Sequence, residues 1–89
     1  MSNFPGGSAF AMARDIAEGY QTVTDRTFRN MPRSGLEQLS FEIDRQLRDT
    51  RSVQIDLSDL VAIKAKNRKI QRLNTAMMVI RAFKQKTRR

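Results

Sequence analysis

Apolar residues recur along most of this chain at helical spacing, and nowhere do they alternate as a strand requires. The clearest stripe is Leu36, Leu39, Ile43 and Leu47, at steps of three, four and four, which places all four on one side of a helix. Ser34 stands three residues before Glu37, the spacing of a capping box, so a helix is predicted from Gly35 to about Arg51. Its other faces carry Glu42, Asp44, Arg45, Arg48 and Asp49, with Asp44 and Arg48, and Arg45 and Asp49, spaced to pair at about 0.2 to 0.5 kcal/mol each.

A second and longer helix is predicted from Leu57 to about Gln85, a stretch with no proline or glycine. Asp56 suits its N-cap, and Ile55 and Leu60 have the spacing of a hydrophobic staple. Leu60, Ile63, Ile70, Leu73, Met77 and Ile80 form its apolar stripe, similar in regularity to a coiled-coil seam. Asn67 and Asn74 fall in or beside that stripe, either as buried amides that fix register or, the favoured expectation, as half-exposed edge residues.

The two helices differ in length, about 25 Å against about 43 Å at 1.5 Å per residue. Paired end to end, they would leave the longer one uncovered from about Asn74 onward, where Met77, Met78, Val79, Ile80 and Phe83 cluster. Such a patch requires a cover, supplied by the N-terminal segment, a second copy of the chain or a partner protein. Self-association is the simplest of the three.

Ahead of this pair the pattern weakens. Met12, Ile16, Tyr20 and Val23 suggest an amphipathic helix within residues 9–29, diluted by Gly19 and three threonines. Asn30, Met31 and Pro32 interrupt the chain, and Pro5, Gly6, Gly7 and Ser8 cannot propagate a helix. The expected organisation is therefore a flexible lead over 1–8, a weak amphipathic helix and linker over 9–33, a helical hairpin domain over 34–86 and a basic tail over 87–89. The expected fold is all-α, a short helix followed by a long one with a weaker third helix at the N-terminus, assembled as a dimeric bundle.

Composition narrows the chemistry. The 89 residues include no cysteine and no histidine, which removes thiolate metal sites, disulfides and the commonest general base. The carboxylates alternate with arginines on a solvated face, so no cleft for acid-base work is indicated and the protein is not expected to be an enzyme. No cofactor, metal or small-molecule substrate is implied. No apolar run approaches the roughly 20 residues of a spanning helix. The first 15 residues have no cation ahead of their apolar stretch, unlike a secretory signal, so a cytoplasmic location is expected.

Charge adds the strongest functional signal. The net charge is +8, but residues 1–59 carry seven Lys/Arg and all nine Asp/Glu, whereas residues 60–89 carry ten Lys/Arg and no acid. Lys64, Arg68 and Arg72 lie four apart in one row flanked by Lys66 and Lys69, and Lys84, Lys86, Arg88 and Arg89 follow toward the C-terminus. A row of cations at about 6 Å steps can run beside a phosphate backbone. The row could instead be a solvated face, pair with Glu37, Glu42, Asp44 and Asp49, or meet an acidic protein. Four acids cannot neutralise ten cations, however, and the uncompensated field attracts polyanions.

There is no zinc spacing, no aromatic-rich strand and no glycine-rich phosphate loop, so phosphate contact is expected in place of base readout. The sequence thus points to a small regulatory or architectural protein that binds nucleic acid through Lys64, Arg68, Lys69, Arg72, Lys84, Lys86, Arg88 and Arg89. The alternative is an adaptor or assembly module that uses Ile70, Leu73, Met77, Met78, Ile80 and Phe83 to receive a protein partner or a second copy. An anionic membrane surface is disfavoured, because the apolar stripe could not serve the helix pair as well.

Overall fold

The computed structural model describes residues 7–29 and 31–87, with the side chain of residue 87 excepted. Four helices follow one another: α1 (Ala9–Glu18), α2 (Asp25–Phe28), α3 (Arg33–Ser52) and α4 (Leu60–Thr87). Among the described residues every regular element is helical, and no helix is long and apolar enough to cross a membrane. α1 packs on both α3 and α4, α3 on α4, and α2 on α4.

α1 begins where the Ser8 hydroxyl accepts from the Ala11 amide at 3.0 Å. It ends at Gly19, whose φ of 86° lies in the left-handed region. The Gly19 amide donates to the Ile16 carbonyl and the Tyr20 amide to that of Asp15, the paired bonds of a Schellman motif. The single weak helix expected over 9–29 is therefore two helices. Tyr20, expected on the apolar stripe, lies past the break and is 82% exposed.

A Cβ at Gly19 would lie 2.9 Å from Cζ of Arg72, whose guanidinium donates to the Ala17 carbonyl at 3.1 Å. Gly19→Ala should thus force a strained backbone and displace Arg72 together, destabilising the protein by about 2 kcal/mol. Urea unfolding of the variant measures this directly.

The α3 stripe is as the spacing predicts: Leu36, Leu39, Ile43 and Leu47 are all buried. Its start differs. Pro32 takes the N-cap position, and the Leu36 amide donates to the Pro32 carbonyl at 3.1 Å. Ser34 and Glu37 consequently form no capping box, and Glu37 reaches Lys84 at 3.3 Å. On the outer face Arg48 pairs with Asp44 at 3.5 Å as expected, while Arg45 lies 3.9 Å from Glu42 and not beside Asp49.

α4 starts three residues later than expected. Asp56 closes a turn of its own, its carboxylate accepting from the Ser58 amide at 2.9 Å and the Ser58 hydroxyl at 2.8 Å. These two bonds, the amide first, hold the exposed Asp56 carboxyl below the ordinary aspartate range. Asp59 then caps the helix by accepting from the Ala62 amide at 3.1 Å.

The core contribution of α4 is Leu73, Ala76, Ile80 and Phe83. Of the expected stripe, Leu60 is exposed, and Ile63, Ile70 and Met77 are half-buried. Asn67 and Asn74 are both exposed, not buried amides, within the single chain.

The overhang lies at the other end from the one expected. Lys66 donates to the carbonyls of Arg51 and Val53 at 3.3 and 2.8 Å, while Lys84 meets Glu37. α3 and α4 thus run in opposite directions, with the C-terminal part of α4 beside the start of α3. The turns before Lys66 project past the end of α3. The Met-rich end is covered by the N-terminal segment: Met12, Ala13, Ile16, Ala17, Val23, Phe28 and Met31 join one core with Leu73, Ala76, Ile80 and Phe83. Phe28 and Phe83 stack at a tilt of 59° with ring centroids 5.9 Å apart.

Candidate nucleic-acid interface

The cations of α4 divide into three kinds by what they touch. Lys66 and Arg72 are structural caps, donating to the last carbonyls of α3 and α1 respectively. Carbonyls at a helix C-terminus carry the negative end of the dipole, so these contacts favour cations. Arg72 also packs against Gly19, and its bond to Ala17 is partly buried. It is poorly placed to leave that contact for a phosphate.

Lys69, Lys84 and Lys86 pair with acids of neighbouring helices: Glu18 at 3.0 Å, Glu37 at 3.3 Å and Asp25 at 2.6 Å. Pairing with neighbours therefore occurs, but only Glu37 among the four acids expected to take part does so. All three pairs retain solvent exposure, where an ion pair is worth only about 0 to 1 kcal/mol. A phosphate can replace such a partner at little cost.

Lys64, Arg68 and Arg81 are exposed and hold no ion pair or hydrogen bond among the described residues. Arg88 and Arg89 lie outside the described residues. The row expected along α4 is thus interrupted, with Lys64 and Arg68 open toward its start and Lys84 and Lys86 near its end.

At that far end the fold adds cations that the charge profile does not reveal. α2, the start of α3 and the end of α4 meet there, and bring Arg26, Arg29 and Arg33 to the same pole as Lys84 and Lys86. A groove of about 300 Å³ between them is bordered by Arg29, Arg33 and Lys84 and floored by Met31, Leu36 and Phe83. Arg26, Arg29 and Arg33 are exposed and engage no acid among the described residues. The three arginines belong to a stretch whose summed charge is negative, so a segment-by-segment count hides them. The docking of Phe28 on Phe83 and the Asp25–Lys86 pair bring Arg26 and Arg29 to α4, and the packing of α3 on α4 brings Arg33.

The apolar residues nominated as a protein interface are mostly internal. Leu73, Ile80 and Phe83 are buried in the core, and Ile70 and Met77 are half-buried beside it. Met78 alone is largely exposed, at 66%. Within the single chain, the N-terminal helices cover most of this surface.

No known protein family, curated protein or solved structure matches the chain.

Proposed function

We propose that the protein binds nucleic acid without catalysis, through phosphate contacts, as a small regulatory or architectural factor. One observation carries this reading: Arg26, Arg29, Arg33, Lys84 and Lys86 converge from three elements on one pole, where their close acidic partners are Asp25 and Glu37. An arginine guanidinium presents a planar fork that fits phosphate oxygens, and exposed arginines not already held by carboxylates are available for it. Lys64 and Arg68 extend the positive surface back along α4.

From Lys64 to Lys84 the helix rises about 30 Å, the length of roughly nine base pairs of duplex at 3.4 Å each. A ligand shorter than this reaches one basic cluster only. Base-edge recognition has no support here, so discrimination among sequences should be slight. In this reading the shorter α3 and the longer α4 pair as a hairpin, and two chains assemble into a dimer.

The test replaces Arg26, Arg29 and Arg33 together by glutamine. These side chains are exposed, so the fold should survive. Removing three phosphate contacts should lower the slope of log affinity against log salt by about 2.7 on duplex DNA. Fluorescence anisotropy at several salt concentrations reads the slope. A variant with the wild-type affinity and slope would rule out the pole as the phosphate-binding surface.

A further inference from the structure

Phosphate binding explains the charged rim of the groove at the basic pole but not its floor. Arg29, Arg33 and Lys84 border the groove, and Met31, Leu36 and Phe83 lie beneath them. Phosphate oxygens gain nothing from an apolar floor, so a ligand that offers phosphates alone would leave this part of the surface unused. A duplex that docks by its backbone is such a ligand, because its bases stay stacked inside it.

The floor is narrow and preformed. Leu36 keeps 4% of its surface open, Met31 7% and Phe83 8%. The Phe83 ring is held against Phe28 with centroids 5.9 Å apart, and the Leu36 amide is fixed on the Pro32 carbonyl at 3.1 Å. At about 300 Å³ the groove has the size of a small-ligand pocket. A partner helix, about 10 to 12 Å across with its side chains, is too wide for it. A single flat apolar group fits, provided that it brings negative charge for the cations around it.

We infer that the groove receives one unpaired base of a single-stranded nucleic acid, while the phosphates on either side of that base are held by the rim and by Arg26 and Lys86. The inference rests on the phosphate-binding reading of the pole and names the form of nucleic acid that the pole prefers. An unpaired base can leave its neighbours and lie on an apolar surface, and a guanidinium plane can cover its open face. Arg29 stands at the end of α2 and Arg33 at the start of α3, so two separate elements supply that cover. Stacking of this kind accepts every base, which agrees with slight discrimination among sequences.

Fluorescence anisotropy with three labelled ligands of equal length tests the site: single-stranded oligothymidylate, the same strand with every base replaced by an abasic tetrahydrofuran unit, and the duplex of oligothymidylate with oligoadenylate. The two single strands carry the same phosphates, so their log affinities should fall with log salt at the same slope. The thymidylate strand should bind about tenfold more tightly than the abasic one at every salt concentration, since the base contact adds to the phosphate contacts. The duplex reports on the phosphate contacts alone. Arg29→Lys with Arg33→Lys keeps both charges at exposed positions and removes both guanidinium planes. This variant should retain the salt slopes on all three ligands and reduce the advantage of the thymidylate strand to about twofold or less.

Equal binding of the thymidylate and abasic strands, beside saturable binding of the duplex, would overturn the base site and leave the phosphate reading standing. An advantage of the thymidylate strand that survives in the lysine variant would place the base elsewhere and overturn this site. Failure of all three ligands to bind would overturn both readings and leave the groove to an acidic partner protein.

Discussion

Ile80→Asp should abolish cooperative folding. Ile80 is fully buried where α4 meets the N-terminal segment, so the substitution removes a packed side chain at a cost of about 2 to 5 kcal/mol. It also buries a carboxylate with no cation to receive it, which adds several kcal/mol more. A chain of this length has only about 4 to 13 kcal/mol in total, so the two costs together consume most or all of it. Circular dichroism with urea titration should show no cooperative transition at 25 °C. Met78→Asp, two residues away but largely exposed, should stay within about 0.5 kcal/mol of the wild type. If Ile80→Asp instead melted like the wild type and changed only the mass of an assembly, position 80 would be an interface and the core described here would be wrong.

Phe28→Ala should cost about 3 to 5 kcal/mol. Phe28 is the one buried residue of α2, and a four-residue helix has no stability of its own. Without the ring, nothing apolar in α2 holds it to Phe83. The variant should therefore lose affinity for nucleic acid although it keeps every charge, because Arg26 and Arg29 are no longer held beside Lys84 and Lys86. Phe28→Leu retains most of the apolar contact and should keep most of the affinity. Urea unfolding measures the first effect, and anisotropy under conditions where each variant remains helical measures the second. Full affinity in a helical Phe28→Ala protein would show that the pole need not be assembled to bind.

The sequence made the interior of the bundle more legible than its connections. The Leu36, Leu39, Ile43 and Leu47 stripe is strict enough to specify both a helix and its buried face. The segment before it misled because Tyr20 continues the spacing of Met12 and Ile16 across Gly19, and periodicity alone does not register a left-handed residue that ends a helix. At the start of α4, Asp56 and Asp59 are equally good caps. The choice between them rests on Ser58, which gives Asp56 a turn of its own.

That short displacement, with the connector before it, sends the free end of α4 past α3 at its start and draws its Met-rich end under α1 and α2. The expected overhang was accordingly real but assigned to the wrong end. Half of the basic surface was legible for the same reason that half of it was not. Cations contiguous on α4 are visible as a run, whereas Arg26 and Arg29 join them through the Phe28 and Phe83 contact and Arg33 through the packing of α3 on α4.

The most direct test of phosphate binding is an anisotropy titration of labelled duplex DNA and single-stranded RNA with the wild-type protein across a series of salt concentrations. The account predicts saturable binding whose logarithm falls linearly with log salt, at a slope of about −4 to −6 on duplex, equivalent to roughly four to seven phosphates neutralised. Weak, unsaturable binding that is the same for every polyanion would contradict it, and would leave the convergence of Arg26, Arg29, Arg33, Lys84 and Lys86 without a nucleic-acid role.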